Sequence, residues 1–177
     1  MLGSGVCNGA LDADTAVEEL YNGHYRELVR VAVLLLGDHG TAEEVVQDAF
    51  VAMHGRWHRL RDRDKALPYL RRTVVNGARS VLRHRKVVAT HQPAPPADQP
   101  GADDAVLAAQ RRNRVLDALA ELPTRQREVL TLRYFLDMSE NEIATTLEIS
   151  AGSVKRHAFR GTQHLRTLLG SMAQEER

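Results

Sequence analysis

Cysteine occurs once in the 177 residues, as Cys7. A lone thiol excludes an internal disulfide framework and fits a reducing cytoplasmic setting. Aromatic residues are scarce, at 5%, so aliphatic side chains must build any core. No run reaches the ~18 apolar residues of a membrane span; VAVLLLG at 31–37 is too short, and no membrane insertion is expected. The first residues lack a basic segment followed by an apolar one and do not read as a signal peptide. HExxH, GxSxG, a phosphate-cradling glycine loop and a Cys-His nucleophile setting are all missing. His54 and His58, and likewise His157 and His164, have helical spacing but no matching cysteine or carboxylate cluster. The expectation is a protein that is not an enzyme and holds no cofactor or metal.

What the chain does have is charge arranged in blocks beneath a net charge of +1. Residues 1–55 carry nine acids and two bases; residues 56–91 carry eleven bases and two acids. Residues 92–110 hold three acids and no Lys or Arg, and the last 28 residues hold five bases and two acids. Fields act over a Debye length of ~8 Å, so the blocks matter more than their sum. The basic blocks suit a polyanion, and the acidic first block suits a basic protein surface.

Helical periods run through most of the chain. Residues 1–13 are Gly-rich and lack a period, which predicts disorder. From Ala16, the spacing of Val17, Leu20, Tyr21, Leu28, Val31, Ala32 and Leu35 predicts an amphipathic helix. Thr41 is the expected N-cap of a second helix, with Glu43 and Glu44 in its first turn. Val45, Val46, Ala49, Phe50, Met53 and Trp57 form its buried face, and Glu44, Gln47 and Asp48 its wet one. A basic stretch, RWHRLRDRDKAL, leads to a third helix with Pro68 in the first turn. Its stripe is Leu67, Leu70, Val74, Ala78 and Val81; Arg71, Arg72, Asn76, Arg79 and Arg83 lie on the other face. Residues 90–104, THQPAPPADQPGADD, read as a flexible Pro/Ala/Asp linker.

A second helical module follows. Val106, Leu107, Val115, Leu116, Leu119 and Leu122 mark one helix. Pro123-Thr124 starts another, with Val129, Leu130, Leu132, Tyr134 and Phe135 as apolar positions. Ser139 and Glu142 form a capping-box pattern before Ile143, Ala144 and Leu147. The stretch EIATTLEISAGSVKRHAFRG at 142–161 then supplies a short helix, a turn and a basic helix. That order is the helix-turn-helix, whose second helix enters the major groove. Ala144 and Gly152 suit close approach and a tight turn, Ser150 suits a cap and Val154 a core anchor. Ser153 in the first turn suits a phosphate. Lys155, Arg156, Phe159 and Arg160 then face outward, toward phosphates, guanine edges or a thymine methyl.

These segments resemble a known family. AEEVVQDAFVAMHGRW at 42–57 resembles region 2.2 of extracytoplasmic-function (ECF, group 4) sigma factors. ALPYLRRTVVNGARSVLRHRK at 66–86 resembles regions 2.3 and 2.4. Residues 122–166 resemble region 4. The resemblance covers roughly residues 16–170 and implies no region 1.1 and no folded region 3. It implies an all-α protein of two small helical domains: a tail at 1–15, region 2 at 16–89, the linker at 90–104, region 4 at 105–170 with its helix-turn-helix at about 139–167, and a tail at 171–177.

The resemblance also implies roles. Glu44, Gln47 and Asp48 would dock on the β′ clamp helices of core RNA polymerase. Arg59, Arg61, Arg63 and Lys65 belong to the loop that captures a flipped base of the −10 element. Asn76, with Arg72, Arg79 and Arg83, would face the non-template strand during melting; Trp57 and Tyr69 are stacking candidates with a core role favoured. Leu132, Tyr134 and Phe135 would build the region 4 core and the surface meeting the β flap tip. Ser153, Lys155, Arg156, Phe159 and Arg160 would read the −35 element of promoter DNA. An anti-sigma factor is a further implied partner. Two departures stand out: Glu148 replaces a usual glycine, and Lys155-Arg156-His157 replaces a frequent Lys-Ser-Arg. The first puts the turn conformation at Glu148 in question. His157 is expected to be exposed and without effect. The rival reading is a stand-alone helix-turn-helix regulator, which predicts a dimer on a palindrome without polymerase. A protein-interaction adaptor would show no salt-dependent DNA affinity.

Overall fold

The computed structural model of the chain describes residues 5–59, 63–89 and 114–172. All of its regular elements are helical, and no strand occurs among the described residues. Helices α1 (Gly5–Leu36), α2 (His39–Arg56) and α3 (Ala66–Ala89) form the first group, with short 3-10 turns at Trp57–Arg59 and Arg63–Lys65. Residues 114–121 are helical (α4). Helices α5 (Thr124–Phe135), α6 (Glu140–Leu147) and α7 (Ala151–Met172) complete the second group. The linker at 90–104, with Val106 and Leu107, lies outside the described residues.

Helix α1 begins earlier than its sequence period suggests, at Gly5 rather than Ala16. Ala13 is buried and Asp14 accepts from His54 Nε2 on α2 at 2.7 Å, so tertiary contacts extend a segment that lacks a period of its own. Its C-terminal half is buried on several sides, through Leu28, Val29, Val31, Ala32, Leu35 and Leu36. This explains the apolar run at 31–36: α1 packs against α2, α3 and α5. Gly37, at φ 75°, ends the helix and returns its N–H to the Val33 carbonyl at 2.7 Å.

Helix α2 is capped one turn before the expected position. Asp38, in extended backbone, accepts the Thr41 N–H at 2.9 Å, and Thr41 sits inside the helix. The acidic side chain outcompetes the Thr hydroxyl because it reaches the N3 amide from outside the helix. The buried face is the expected one, from Val45 through Met53 to Trp57. Helix α3 crosses it closely at Gly77: a Cβ there would lie 2.8 Å from Val45 Cγ1.

In the second group the capping box is formed. Ser139 Oγ accepts the Glu142 N–H, and the Glu142 carboxylate accepts the Ser139 N–H at 2.8 Å. The buried stripe of α7 runs Val154, Ala158, Gly161, the 3.6-residue period of a helix lying on a core. Gly161 lets α7 approach α5, where an added Cβ would meet Leu130 Cδ1 at 3.0 Å. Val115 is exposed, while Ala118 and Leu119 take the inward face of α4 and Leu122 is buried just beyond its end. Tyr134 (66% exposed) and Phe135 also lie outside the core that Leu132 joins. Both stand at the last turn of α5.

The two groups share buried surface. One cluster runs from Leu28, Leu35 and Val74 through to Leu132, Ile143 and Val154. A smaller one joins Leu34 of α1 to Leu119, Leu122 and Leu130.

Candidate nucleic-acid and polymerase interface

The helix-turn-helix is built from local chemistry. The Glu142-Ser139 box starts α6, and Ile143 and Leu147 bury its inner face. Glu148 then ends α6 in the left-handed region, at φ 55° and ψ 47°. This is where glycine is favoured, so the turn takes its ordinary shape despite the side chain. Gly152 does not supply the turn; it lies within α7 at negative φ, with open space around it. Ser150 accepts the Ser153 N–H at 3.1 Å and starts α7. The half-buried Ser153 hydroxyl sits 2.9 Å from Ser150 Oγ and 3.4 Å from Arg156 Nη2, within a local network.

With Val154 and Ala158 turned inward, the outer face of α7 presents Lys155, Arg156, Phe159 and Arg160, all exposed. Phe159 is 69% exposed, a large apolar side chain among cations. Lys155 lies 3.5 Å from Glu140, which also receives Arg133. His157 is partly buried, not free on the surface as expected. Burial, and then the positive charges of Arg156, Arg125 and Arg160, hold its pKa below the ordinary histidine value.

The first group presents two faces. On α2, Glu44, Gln47 and Asp48 are all exposed. Val51, 71% exposed, continues that row at helical spacing and was not singled out in the sequence, although the period placed it there. On α3, Arg72, Asn76 and Arg83 are exposed and Arg79 is partly covered. Arg59 and Lys65 are exposed at the two short turns. Arg61 lies outside the described residues, as does the side chain of Arg63. Trp57 is buried and belongs to the core.

Two of the α3 cations meet acids of the second group. Arg79 donates from Nε and Nη2 to the two oxygens of Glu128 on α5, at 2.5 and 2.9 Å. Arg72 donates to the carboxylate of Glu148. Glu148 stood out in the sequence only as a departure at the turn and Glu128 not at all; neither pairing was legible, since long-range ion pairs leave no period. Arg79, Arg83, Lys86 and Arg125 line an open cleft of about 270 Å³ between α3 and the start of α5. Among the described residues no group of three or more metal-ligating side chains occurs, and no helix is long and apolar enough to cross a membrane.

Known proteins align with both groups. The family model "Sigma-70 region 2" matches residues 20–87, and "Sigma-70, region 4" matches residues 112–165. The RNA polymerase sigma-E factor of Streptomyces coelicolor is 33% identical over 149 residues, covering 84% of this chain and 83% of the relative. The ECF RNA polymerase sigma factor SigL of Mycobacterium tuberculosis is 32% identical over 167 residues, covering 92% and 94%. The fold resembles the sigma factor RpoE of Bartonella quintana in its co-crystal structure with the anti-sigma factor NepR, with a TM-score of 0.68 at 21% identity, covering 86% and 96%. Two matched regions in order, and relatives matched along most of their length, agree with the helix-turn-helix and the charged faces: the chain belongs to the sigma-70 family of RNA polymerase sigma factors.

Proposed function

We propose that this chain is an ECF (group 4) sigma factor acting in the cytoplasm. It binds core RNA polymerase, recognises −35 and −10 promoter elements, and supports melting. The observation that carries the reading is the outer face of α7: Lys155, Arg156, Phe159 and Arg160 exposed on a capped second helix anchored by Val154 and Ala158. That face fits the major groove of the −35 element. Exposed Arg59, Lys65, Arg72, Asn76 and Arg83, with Arg79 and the loop residues Arg61 and Arg63, fit the melted −10 strand. Cations track a backbone while an amide reads a base edge.

Glu44, Gln47 and Asp48 on α2, with the apolar Val51 beside them, fit the β′ clamp helices. Exposed Tyr134 and Phe135 at the end of α5 fit the β flap tip. An anti-sigma factor is a further partner of the proposal, supported by the complex of the Bartonella quintana neighbour with NepR.

The test is promoter-directed transcription by purified core polymerase on a library of −35/−10 sequences. Specific initiation that requires this chain is the expected result. Failure to redirect core, with protection of a palindrome by the chain alone, would favour the stand-alone regulator instead.

A further inference from the structure

Helical spacing puts Arg79, Arg83 and Lys86 on one stripe of α3. That stripe borders the cleft of about 270 Å³, which Thr124, Arg125 and Glu128 line from the start of α5. Four cations there face one carboxylate, an excess of three positive charges. The carboxylate is already taken. Glu128 receives two donors from Arg79, at 2.5 and 2.9 Å, and a third from Arg125, at 3.1 Å. Arg83 and Lys86 are exposed at the cleft, and Arg125 is half-buried.

The start of α5 adds to this field. Its first residue, Thr124, follows Pro123, and no side chain caps the helix. The Pro123 carbonyl accepts the Gln126 N–H at 2.8 Å and the Arg127 N–H at 3.1 Å. The Thr124 and Arg125 N–H groups are left as the open donors of the first turn. Main-chain donors at a helix start and guanidinium forks favour the same acceptor, a phosphoryl oxygen. The cations surround one small volume rather than following a line, which suits a compact anion better than an extended backbone. The volume falls just short of the ~300–1,000 Å³ of pockets that bury a drug-sized ligand. It suits two adjacent phosphoryl groups.

We infer that this cleft binds a diphosphate group, either free inorganic pyrophosphate or the diphosphate of a nucleotide whose remainder lies outside. Arg83 and Lys86 hold it from α3; Arg125 and the first amides of α5 hold it from the other side. The site goes beyond the sigma-factor reading, which gives no part to Lys86, Thr124 or Arg125. A ligand that binds the folded chain alone adds to its stability by mass action.

The test uses the full chain at constant ionic strength, without polymerase or DNA. Calorimetric titration and thermal melting are run with inorganic pyrophosphate, ADP, AMP and inorganic phosphate. Pyrophosphate should fill one saturable site and raise the melting temperature. AMP and phosphate should bind at least ~10-fold more weakly, the loss of one charge-assisted hydrogen bond. ADP that binds as tightly as pyrophosphate or tighter identifies a nucleotide as the source; weaker ADP identifies the free anion. Lys86→Gln and Arg125→Gln should each lower pyrophosphate affinity about 10-fold, with circular dichroism showing that the helices persist. Arg56→Gln, which removes an exposed charge of α2 outside the cleft, should leave it unchanged. In the unsubstituted chain, the amide resonances of Thr124 and Arg125 should shift on titration, so the placement does not depend on any variant folding.

Pyrophosphate binding no tighter than that of phosphate overturns the site, and so does an equal loss in Arg56→Gln, because general screening explains both. Unmoved Thr124 and Arg125 amides overturn it as well. A single strand of ~20 nucleotides that shifts those amides where pyrophosphate does not would assign the cleft to nucleic acid instead. No arm uses a promoter or polymerase, so failure of the sigma-factor reading in the transcription assay is a separate result.

Discussion

Arg127 of α5 donates from Nη1 to the main-chain oxygen of Leu35 at 2.8 Å, across the boundary between the two helical groups. The last carbonyls of a helix have no partner within it. Arg127 supplies one for α1, and Arg85 of α3 supplies another at the Leu36 oxygen, at 3.0 Å. Arg127 is itself buried; burial lowers its pKa, and neighbouring Glu128 opposes that shift. Truncation by Arg127→Ala leaves a buried acceptor unmet and should cost about 1–3 kcal/mol in urea unfolding. Arg127→Lys should recover only part, because one ammonium cannot span the Leu35 and Leu122 oxygens as the fork does.

Ser139→Ala should lower stability by about 1 kcal/mol, since it removes the acceptor for the Glu142 N–H. The Ser139 hydroxyl and main-chain N–H hold the Glu142 carboxyl below its ordinary pKa. A depressed carboxylate contributes stability above its unfolded pKa and loses it as pH falls through the folded one. Acid titration of stability should therefore be shallower in Ser139→Ala than in the parent.

These caps also show how the sequence was and was not readable. The spacing of Ser139 and Glu142, and the buried faces of α2 and α3, followed from period and local chemistry. So did the outward set on α7, once Val154 was taken as the anchor. Local pattern could not choose between Asp38 and Thr41 as the α2 cap, because both are good caps three residues apart. It also could not extend α1 back to Gly5, where Ala13 and Asp14 gain their contacts from distant residues. The Arg79–Glu128, Arg72–Glu148 and Arg127–Leu35 contacts join residues far apart in sequence, and charge blocks alone do not say which acid meets which base.

Gly77→Ala sets two effects against each other. Alanine gains about 1 kcal/mol of helix propensity over glycine. The new Cβ would sit 2.8 Å from Val45 Cγ1, a stiff branched side chain, and overpacking costs about 1–3 kcal/mol. Net destabilisation is expected by thermal melting. Val45→Ala in the same chain should offset part of it, giving a favourable coupling in a double-mutant cycle.

His157 titrates below its ordinary value, chiefly through burial. The unfolded chain therefore binds more protons than the folded one as pH falls past the unfolded histidine pKa, and stability declines there. His157→Gln should flatten the pH dependence of chemical unfolding between about pH 5 and 7. An unchanged slope would assign the acid sensitivity to the carboxylates instead.

Arg160→Ala should weaken promoter binding by the polymerase holoenzyme and reduce the slope of log affinity against log salt by about 1, the value for one lost phosphate contact. Core binding by the same variant should be unchanged. A loss confined to particular −35 sequences would instead place Arg160 on a base edge.

The buried cluster that passes from Leu28 and Leu35 into Leu132 and Val154 has a consequence for genetics. Domains with separate cores tolerate damage separately, but here an apolar substitution in α1 weakens the seating of the helices that carry the α7 face. Loss-of-function alleles should therefore include buried positions such as Leu35, remote from any side chain proposed to face the promoter. They should be temperature-sensitive and should melt in one calorimetric transition rather than two.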